Sequence, residues 1–305
     1  MRVPPVNLDP GLKATWSDLP PLILELVVSH HLPDPLDINA LAKTSRAMRS
    51  MMLSPALQAA WLQQLKGDIA IWAALRRCND KAQRLSIVRH LVEVLRADVG
   101  VRMHGETALH WACGTGHDVD MVRYLSNLPH VQVNLADTAN KRSPLHIACR
   151  VGHVDVVRQL LGHLGIQVNL GDQFDWTPLH WACDGGHADV VRQLLSHPDI
   201  QVNLAPQHGW TPLLFACNEG LVDAVRQLLS HPGIQVNLAD QHNWTPLHLA
   251  CYNGHVDAVR QLLSHPDIQA NLADQHGRTP LQLATAHVHV DVAHLICSHN
   301  SGKSV

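Results

Sequence analysis

No stretch of this chain is apolar for long enough to span a membrane. A transmembrane helix needs roughly 18 or more apolar residues in a row, and the sequence has no such run. The N-terminus also lacks the apolar core of a signal peptide. Charge is sparse, since 16% of the 305 residues are charged and the formal net charge is -3. With no basic field to attract nucleic acid, we expect neither a membrane nor a nucleic acid among the partners.

A phrase that recurs at a fixed spacing dominates the C-terminal two-thirds of the chain. It reads WTPLHWAC at Trp176–Cys183 and WTPLHLAC at Trp244–Cys251. The hydroxyl residue at its second position marks six copies, separated by 36, 34, 34, 34 and 34 residues: Thr107, Ser143, Thr177, Thr211, Thr245 and Thr279. Self-similarity at this period predicts a stacked solenoid, in which each unit buries its apolar face against its neighbours.

The third copy shows how one unit is expected to fold. Thr177 is a good N-cap residue, and Pro178 suits the first helical position because its missing N–H costs nothing there. Gly185 favours the end of this helix, since glycine closes a helix without a Cβ penalty. Apolar residues at helical spacing over 190–195 predict a second helix, and 200–205 an extended connection.

This unit of helix, turn, helix and extended loop resembles the ankyrin repeat. The family signature T-P-L-H-x-A is met at Thr177–Ala182, and the following G-H at Gly186 and His187. The resemblance covers six copies over 102–300 and implies an all-α ankyrin-repeat solenoid, with short β-hairpin loops between helical pairs. We expect 301–305 to be a disordered tail.

Upstream of the six copies, two interpretations of residues 66–101 stay open. The segment 86–95 aligns with the second helix of a repeat, because Val88, Arg89 and Leu91 lie 34 residues before equivalent residues of the first copy. The segment is therefore either a degenerate seventh repeat or a helical linker.

The first 65 residues form a different kind of sequence, with a flexible N-terminus expected over 1–15. Residues 16–65 predict three short helices and are similar to the F-box, which implies docking on the Skp-type adaptor of a cullin-RING ubiquitin ligase. The residues expected at that adaptor are Leu19, Pro20, Leu22, Leu26, Leu32, Pro33 and Leu41. The alternative is that 16–65 only cap the solenoid.

Five of the seven cysteines share one position of the repeat, which argues against disulfides between them. Equivalent residues on packed helices lie roughly 8 to 10 Å apart, whereas a disulfide needs Cα atoms within about 7 Å. We expect five small buried apolar residues in a reducing compartment, the cytoplasm or the nucleus: Cys113, Cys149, Cys183, Cys217 and Cys251.

Histidine is abundant, yet it also recurs with the repeat. Eighteen of the 24 histidines occupy four repeat positions, exemplified by His180, His187, His197 and His208. The resemblance implies that His180 helps to hydrogen-bond the hairpin to the helices. The pair His180 and Cys183 also recurs in other copies, and an enzyme would not need several such pairs. We therefore expect no catalytic residues, no cofactor and no metal.

Recognition of a partner should depend on positions that vary between repeats. The position before the hydroxyl residue is the first of these, with three tryptophans between two arginines: Arg142, Trp176, Trp210, Trp244 and Arg278. We expect the tryptophans to be exposed in a row about 10 Å apart, as a binding surface; the alternative is that each indole packs on its neighbour. By contrast, Trp111, Trp181 and Phe215 are expected in the core.

A second variable set lies at the end of the first helix of each unit. It comprises Arg150, Asp184, Glu219 and Tyr252, which we expect beside the tryptophans in a mixed groove. The favoured function is a non-enzymatic substrate receptor that brings a client protein to a ubiquitin ligase. Ubiquitylation of the client is then accelerated by proximity. The alternative is a general interaction scaffold. Outside its complex we expect a monomer.

Overall fold

A computed structural model describes residues 71–72, 74–76, 80–93, 96–116, 118–206 and 208–302 of the chain. The segments 1–15 and 16–65, with every residue expected to bind an adaptor, lie outside the described residues. The chain divides into two compact units, Met1–Val101 and Arg102–Val305. In the first unit, residues 71–72 and 74–76 are helical and α1 spans Lys81–Glu93.

The described part of the second unit consists of helices arranged in pairs, one pair per sequence copy. Their bounds, in chain order, are α2 Ala108–Thr115, α3 Val119–Ser126, α4 Pro144–Val151, α5 Val154–Leu161, α6 Pro178–Asp184, α7 Ala188–Leu195, α8 Pro212–Asn218, α9 Val222–Leu229, α10 Pro246–Tyr252, α11 Val256–Leu263, α12 Pro280–Ala286 and α13 Val290–Gly302. First helices pack on first helices of the adjacent pairs, and second helices on second helices. This confirms the predicted all-helical repeat.

The last helix enters the segment that was expected to be a disordered tail. Helix α13 ends at Gly302, while the tail was predicted to begin at residue 301. Residues 303–305 lie outside the part of the chain that the structure describes.

The predicted threonine or serine is the N-cap of each first helix, and in four repeats it contacts a histidine that also reaches the next repeat. The backbone N–H of Thr177 donates to His180 Nδ1 over 3.1 Å, and the Thr177 hydroxyl lies 2.8 Å from the same nitrogen. His180 Nε2 lies 3.1 Å from the carbonyl oxygen of Trp210 in the next hairpin. Since Nδ1 accepts, the proton belongs on Nε2, which donates to that carbonyl.

Three further histidines make the same set of bonds, so we define the bridging histidines as His110, His146, His180 and His248. All four are buried. Burial lowers the pKa of each ring, to about 4 for His180, because the charged form is desolvated. The hydrogen-bonding role that the resemblance implied for His180 is confirmed. Leu214 and Gln282 replace the histidine in the fourth and sixth copies.

In four repeats a second histidine points back to the preceding repeat: His153, His187, His255 and His289. His187 Nε2 lies 3.1 Å from the carbonyl oxygen of Arg150, and His255 Nε2 lies 2.9 Å from that of Asn218. This contact also requires a glycine in the turn of the preceding repeat. Gly152 has a φ of +84°, and a Cβ there would lie 2.5 Å from His187 Nδ1.

The hairpins between repeats are turns without strands, which corrects the predicted β-hairpin loops. In the third repeat, the backbone N–H of Asp172 donates to the carbonyl of Trp176 over 2.9 Å. The Asp172 carboxylate accepts from the backbone N–H groups of Phe174 and Trp176. Asp172 and Trp176 enclose a tight turn, in which side-chain bonds replace a ladder. An isolated bridge between Met103 and Glu106 is the strand-like pairing in the described part of the chain.

Asparagine side chains hold the extended connections of successive repeats together. Asn169 Nδ2 donates to the carbonyl of Asp199 over 2.7 Å, and its Oδ1 accepts from the backbone N–H of Gln201 over 3.0 Å. The same pair of bonds recurs at the equivalent residues Asn134, Asn203 and Asn237. Both hydrogen-bonding groups of each amide are thereby satisfied between repeats.

The five repeated cysteines lie in the apolar core, where each is a fully buried free thiol. Burial raises the pKa of all five well above its usual range, to about 12 for Cys251, because the thiolate would be desolvated. They are the small buried apolar residues that their shared position predicted.

Candidate functional site: the aromatic face

Six aromatic side chains from the third, fourth and fifth repeats lie on the side of the hairpins and the ends of the first helices. We call them the aromatic face: Trp176, Trp181, Trp210, Phe215, Trp244 and Tyr252. The three hairpin tryptophans are each partly buried rather than fully exposed, and Tyr252 is 39% exposed. The bridging histidines and the carboxylate turns fix the hairpin backbone, so the positions of these indoles are set by buried contacts.

The hairpin tryptophans contact residues of the first helices. Trp176 packs on Trp181 of its own repeat, with ring centroids 5.1 Å apart, and edge to face on Phe215 of the next repeat at 5.0 Å. Phe215 also meets Trp210 at 5.9 Å. Both expectations for the indoles thus hold in part: each ring packs on neighbours and keeps an accessible portion.

The prediction that Trp181 and Phe215 lie in the core is wrong. They are partly exposed, as is Trp111, which was also expected in the core, whereas Ile147 and Leu249 at the same repeat position are buried. A ring is larger than an aliphatic side chain and extends past the buried layer towards the hairpin tryptophans. The signal was available in the sequence, because this repeat position holds aromatic residues in some copies and smaller aliphatic residues in others.

Arg142 is held inside the protein. Its guanidinium lies 4.0 Å from the ring centroid of Trp181, and its Nε is 3.6 Å from the buried carboxylate of Asp172. The indole N–H of Trp181 donates to the same carboxylate over 3.1 Å. The arginine expected to contact a partner is thus already stacked and paired.

Arg278 is engaged in a similar way at the other end of the face. Its Nη2 and Nε lie 2.8 and 2.9 Å from Asp274 Oδ2, and its guanidinium lies 5.8 Å from the ring centroid of Trp244. Burial raises the pKa of Asp274, but hydrogen bonds from the backbone and side chain of Arg278 outweigh that effect and hold the pKa at about 2. The Arg278 side chain keeps 45% of its surface exposed.

The second predicted set lies where expected, at the ends of the first helices. Arg150, Asp184, Glu219 and Tyr252 are all exposed. Partial burial and the charge of Glu219 raise the pKa of Asp184, against the opposing effects of Arg150 and Arg142. Within the described residues, neither acidic side chain forms an ion pair; Glu219 accepts one hydrogen bond, from Asn218 Nδ2 over 2.7 Å.

Tyr252 extends the aromatic face towards the last repeat. Its ring lies 5.1 Å from that of Trp244 and 4.3 Å from that of His287, edge to face in both cases. His287 is exposed and caps α12, and no repeated pattern in the sequence indicated it. The aromatic contacts thus continue beyond the three tryptophans that were predicted.

Comparison with known families decides what this stack is. A family model described as Ankyrin repeats (3 copies) matches residues 70–172, 164–240 and 234–305, which together span more than half of the chain. The chain belongs to the ankyrin-repeat family. Ankyrin repeats are protein–protein interaction modules, so the exposed surface of this ankyrin-repeat protein is where binding is to be sought. Among the described residues, no helix has the length and apolar character to cross a bilayer.

Proposed function

We propose that the aromatic face binds a segment of another protein. The supporting observation is that aromatic rings of three successive repeats keep accessible surface on one side of the stack, while the bridging histidines that join the repeats are buried. Tryptophan and tyrosine, with their large rigid rings, are enriched among the residues that dominate binding energy. Rings already fixed by intramolecular contacts lose little entropy when a partner binds.

Selection of random peptides by phage display on the full-length chain tests this proposal. Selected peptides should bind at least about tenfold more weakly to W176A/W210A/W244A, the usual scale for loss of aromatic anchors. The matched control is R192A/R226A/R260A, which truncates three large residues on the second helices and should leave binding unchanged.

Circular dichroism melting establishes that each variant is folded, and the three single tryptophan variants replace the triple one if it is not. Peptides that bind all tryptophan variants as tightly as the natural chain would contradict the proposal.

The more specific role that we propose is that of a substrate receptor for a cullin-RING ubiquitin ligase. It rests on the F-box-like sequence of 16–65, which is outside the described residues, and on a repeat stack able to hold a client. Purified Skp-type adaptor should co-precipitate with the intact chain and not with L19A/P20A. If the intact folded chain fails to bind adaptor, a general interaction scaffold remains, with 16–65 as a cap. In either role we propose a monomer, outside its complexes, in a reducing compartment.

A further inference from the structure

The two ends of the aromatic face each combine a cation, a ring and a carboxylate. At one end Arg142 stacks on Trp181 beside the carboxylate of Asp172. At the other end Arg278 lies over a tryptophan ring beside the carboxylate of its own hairpin. Both cations are supplied by this chain. The face is thus built to accept a guanidinium on an indole next to a carboxylate.

The centre of the face has rings and carboxylates, and the charges of Arg150 and Arg142 act on Asp184 without forming an ion pair with it in the described part of the chain. We call Trp176, Trp210 and Phe215 the central rings. Asp184 lies one helical turn beyond Trp181 in α6, and Glu219 one turn beyond Phe215 at the end of α8, so each carboxylate neighbours a ring of the face. Neither is paired with a base within the residues that the structure describes.

Both central carboxylates occupy unfavourable positions. Asp184 is the last residue of α6 and Glu219 is the C-cap of α8, where the partial charge of the helix is negative. Partial burial and the negative charge of Glu219 raise the pKa of Asp184, although Arg150 and Arg142 oppose this shift. Two anions placed against helix C-termini and against each other favour the approach of an external cation, because it relieves both repulsions.

We propose that the partner places an arginine or lysine side chain against Asp184 and Glu219, beside the central rings of the aromatic face. The inference rests on the proposed function, and it adds the chemistry of the occupant: a peptide segment with apolar residues around one basic residue. The apolar stem of the basic side chain would cover the rings while its charge meets the carboxylates. Arg150, next to Asp184, favours a single basic residue over a cluster.

Synthetic copies of the peptides selected by phage display test this inference in binding measurements. Each selected peptide is compared with a copy in which its basic residue is replaced by a neutral side chain of similar shape, citrulline for arginine or norleucine for lysine. Neutralisation should weaken binding by about tenfold or more, as expected for loss of a charge-assisted contact. On D184N/E219Q the charged and neutral peptides should bind alike.

The matched control is D189N/D223N, which removes the same charge from the first turns of α7 and α9 and should keep the preference for the charged peptide. If peptides depend on the aromatic face but bind equally with a neutral side chain, the inference is overturned and the proposed function stands. If selected peptides ignore the aromatic face altogether, both are overturned. A preference that disappears in D189N/D223N as well would also overturn the inference, since it would reflect overall charge.

Discussion

At the scale of single residues, the bridging histidines do more than cap their helices. The ring of His180 accepts the Thr177 N–H at Nδ1 and, through Nε2, donates to the carbonyl of Trp210 in the next repeat. Protonation of Nδ1 would convert this acceptor into a donor facing another donor. The joint between repeats therefore requires the neutral ring.

A loss of stability in mild acid follows from this requirement. Burial lowers the pKa of His180 to about 4 in the folded chain, from its usual 6.5, and the other bridging histidines shift in the same direction. The unfolded chain then binds more protons below pH 6.5, so the free energy of unfolding should fall as pH drops from 6.5 towards 4. Each unit between the folded and unfolded pKa values is worth ~1.4 kcal/mol.

Urea denaturation at pH 7.5 and 5.0 checks this prediction, with H180Q as the comparison. Glutamine can keep the N-cap contact, since Gln282 Oε1 accepts the Thr279 N–H over 2.9 Å in the sixth repeat, and it does not titrate. The variant should lose less stability between the two pH values than the natural chain. Equal losses in both proteins would contradict the role assigned to His180.

The turn between the two helices of a repeat shows how one element restricts the sequence. At Gly152 the chain takes a φ of +84°, and the His187 ring of the next repeat lies within 2.5 Å of where a Cβ would be. A side chain there would meet both an unfavourable backbone conformation and a ring that is fixed by its bond to Arg150. The turn and the joint between repeats are thus one structural feature.

Substitution by alanine should therefore affect stability differently at two glycines of this repeat. G152A should lower the free energy of unfolding by roughly 1 to 3 kcal/mol, because strain and steric overlap add. G162A serves as the control: Gly162 has a φ of -74°, and a Cβ there would lie no closer than 3.6 Å to another atom. Chemical denaturation should show it to be neutral or slightly stabilising. Equal effects of the two changes would refute the steric explanation.

The sequence predicts elements better than it predicts contacts between repeats. Thr177 and Pro178 mark a helix start because capping is local, and the structure confirms that start. The predicted strands of the hairpins are absent from these turns, because the Asp172 carboxylate accepts backbone hydrogen bonds in place of a strand ladder. Contacts across repeats were the least accessible: Arg142 meets Asp172 from a neighbouring unit, and no periodic pattern specifies which rings it will lie between.

At the largest scale, the architecture of the second unit follows from contacts between neighbouring repeats. Each helix pair packs on the pairs before and after it, and the bridging histidines and the asparagine contacts connect the same neighbours. Residues that make these joints repeat, whereas the aromatic face varies from repeat to repeat. Joining the repeats and binding a partner thus use different positions in the same solenoid.

Hydrogen–deuterium exchange of the full chain, with and without a peptide selected by phage display, tests the central claim most directly, because it needs no substitution. We expect slower exchange on binding at the hairpins 172–176 and 240–244 and at the C-terminal ends of α6 and α8. Helices α7, α9 and α11 should be unchanged. Protection confined to these second helices, with the hairpins unaffected, would contradict the assignment of the aromatic face as the binding surface.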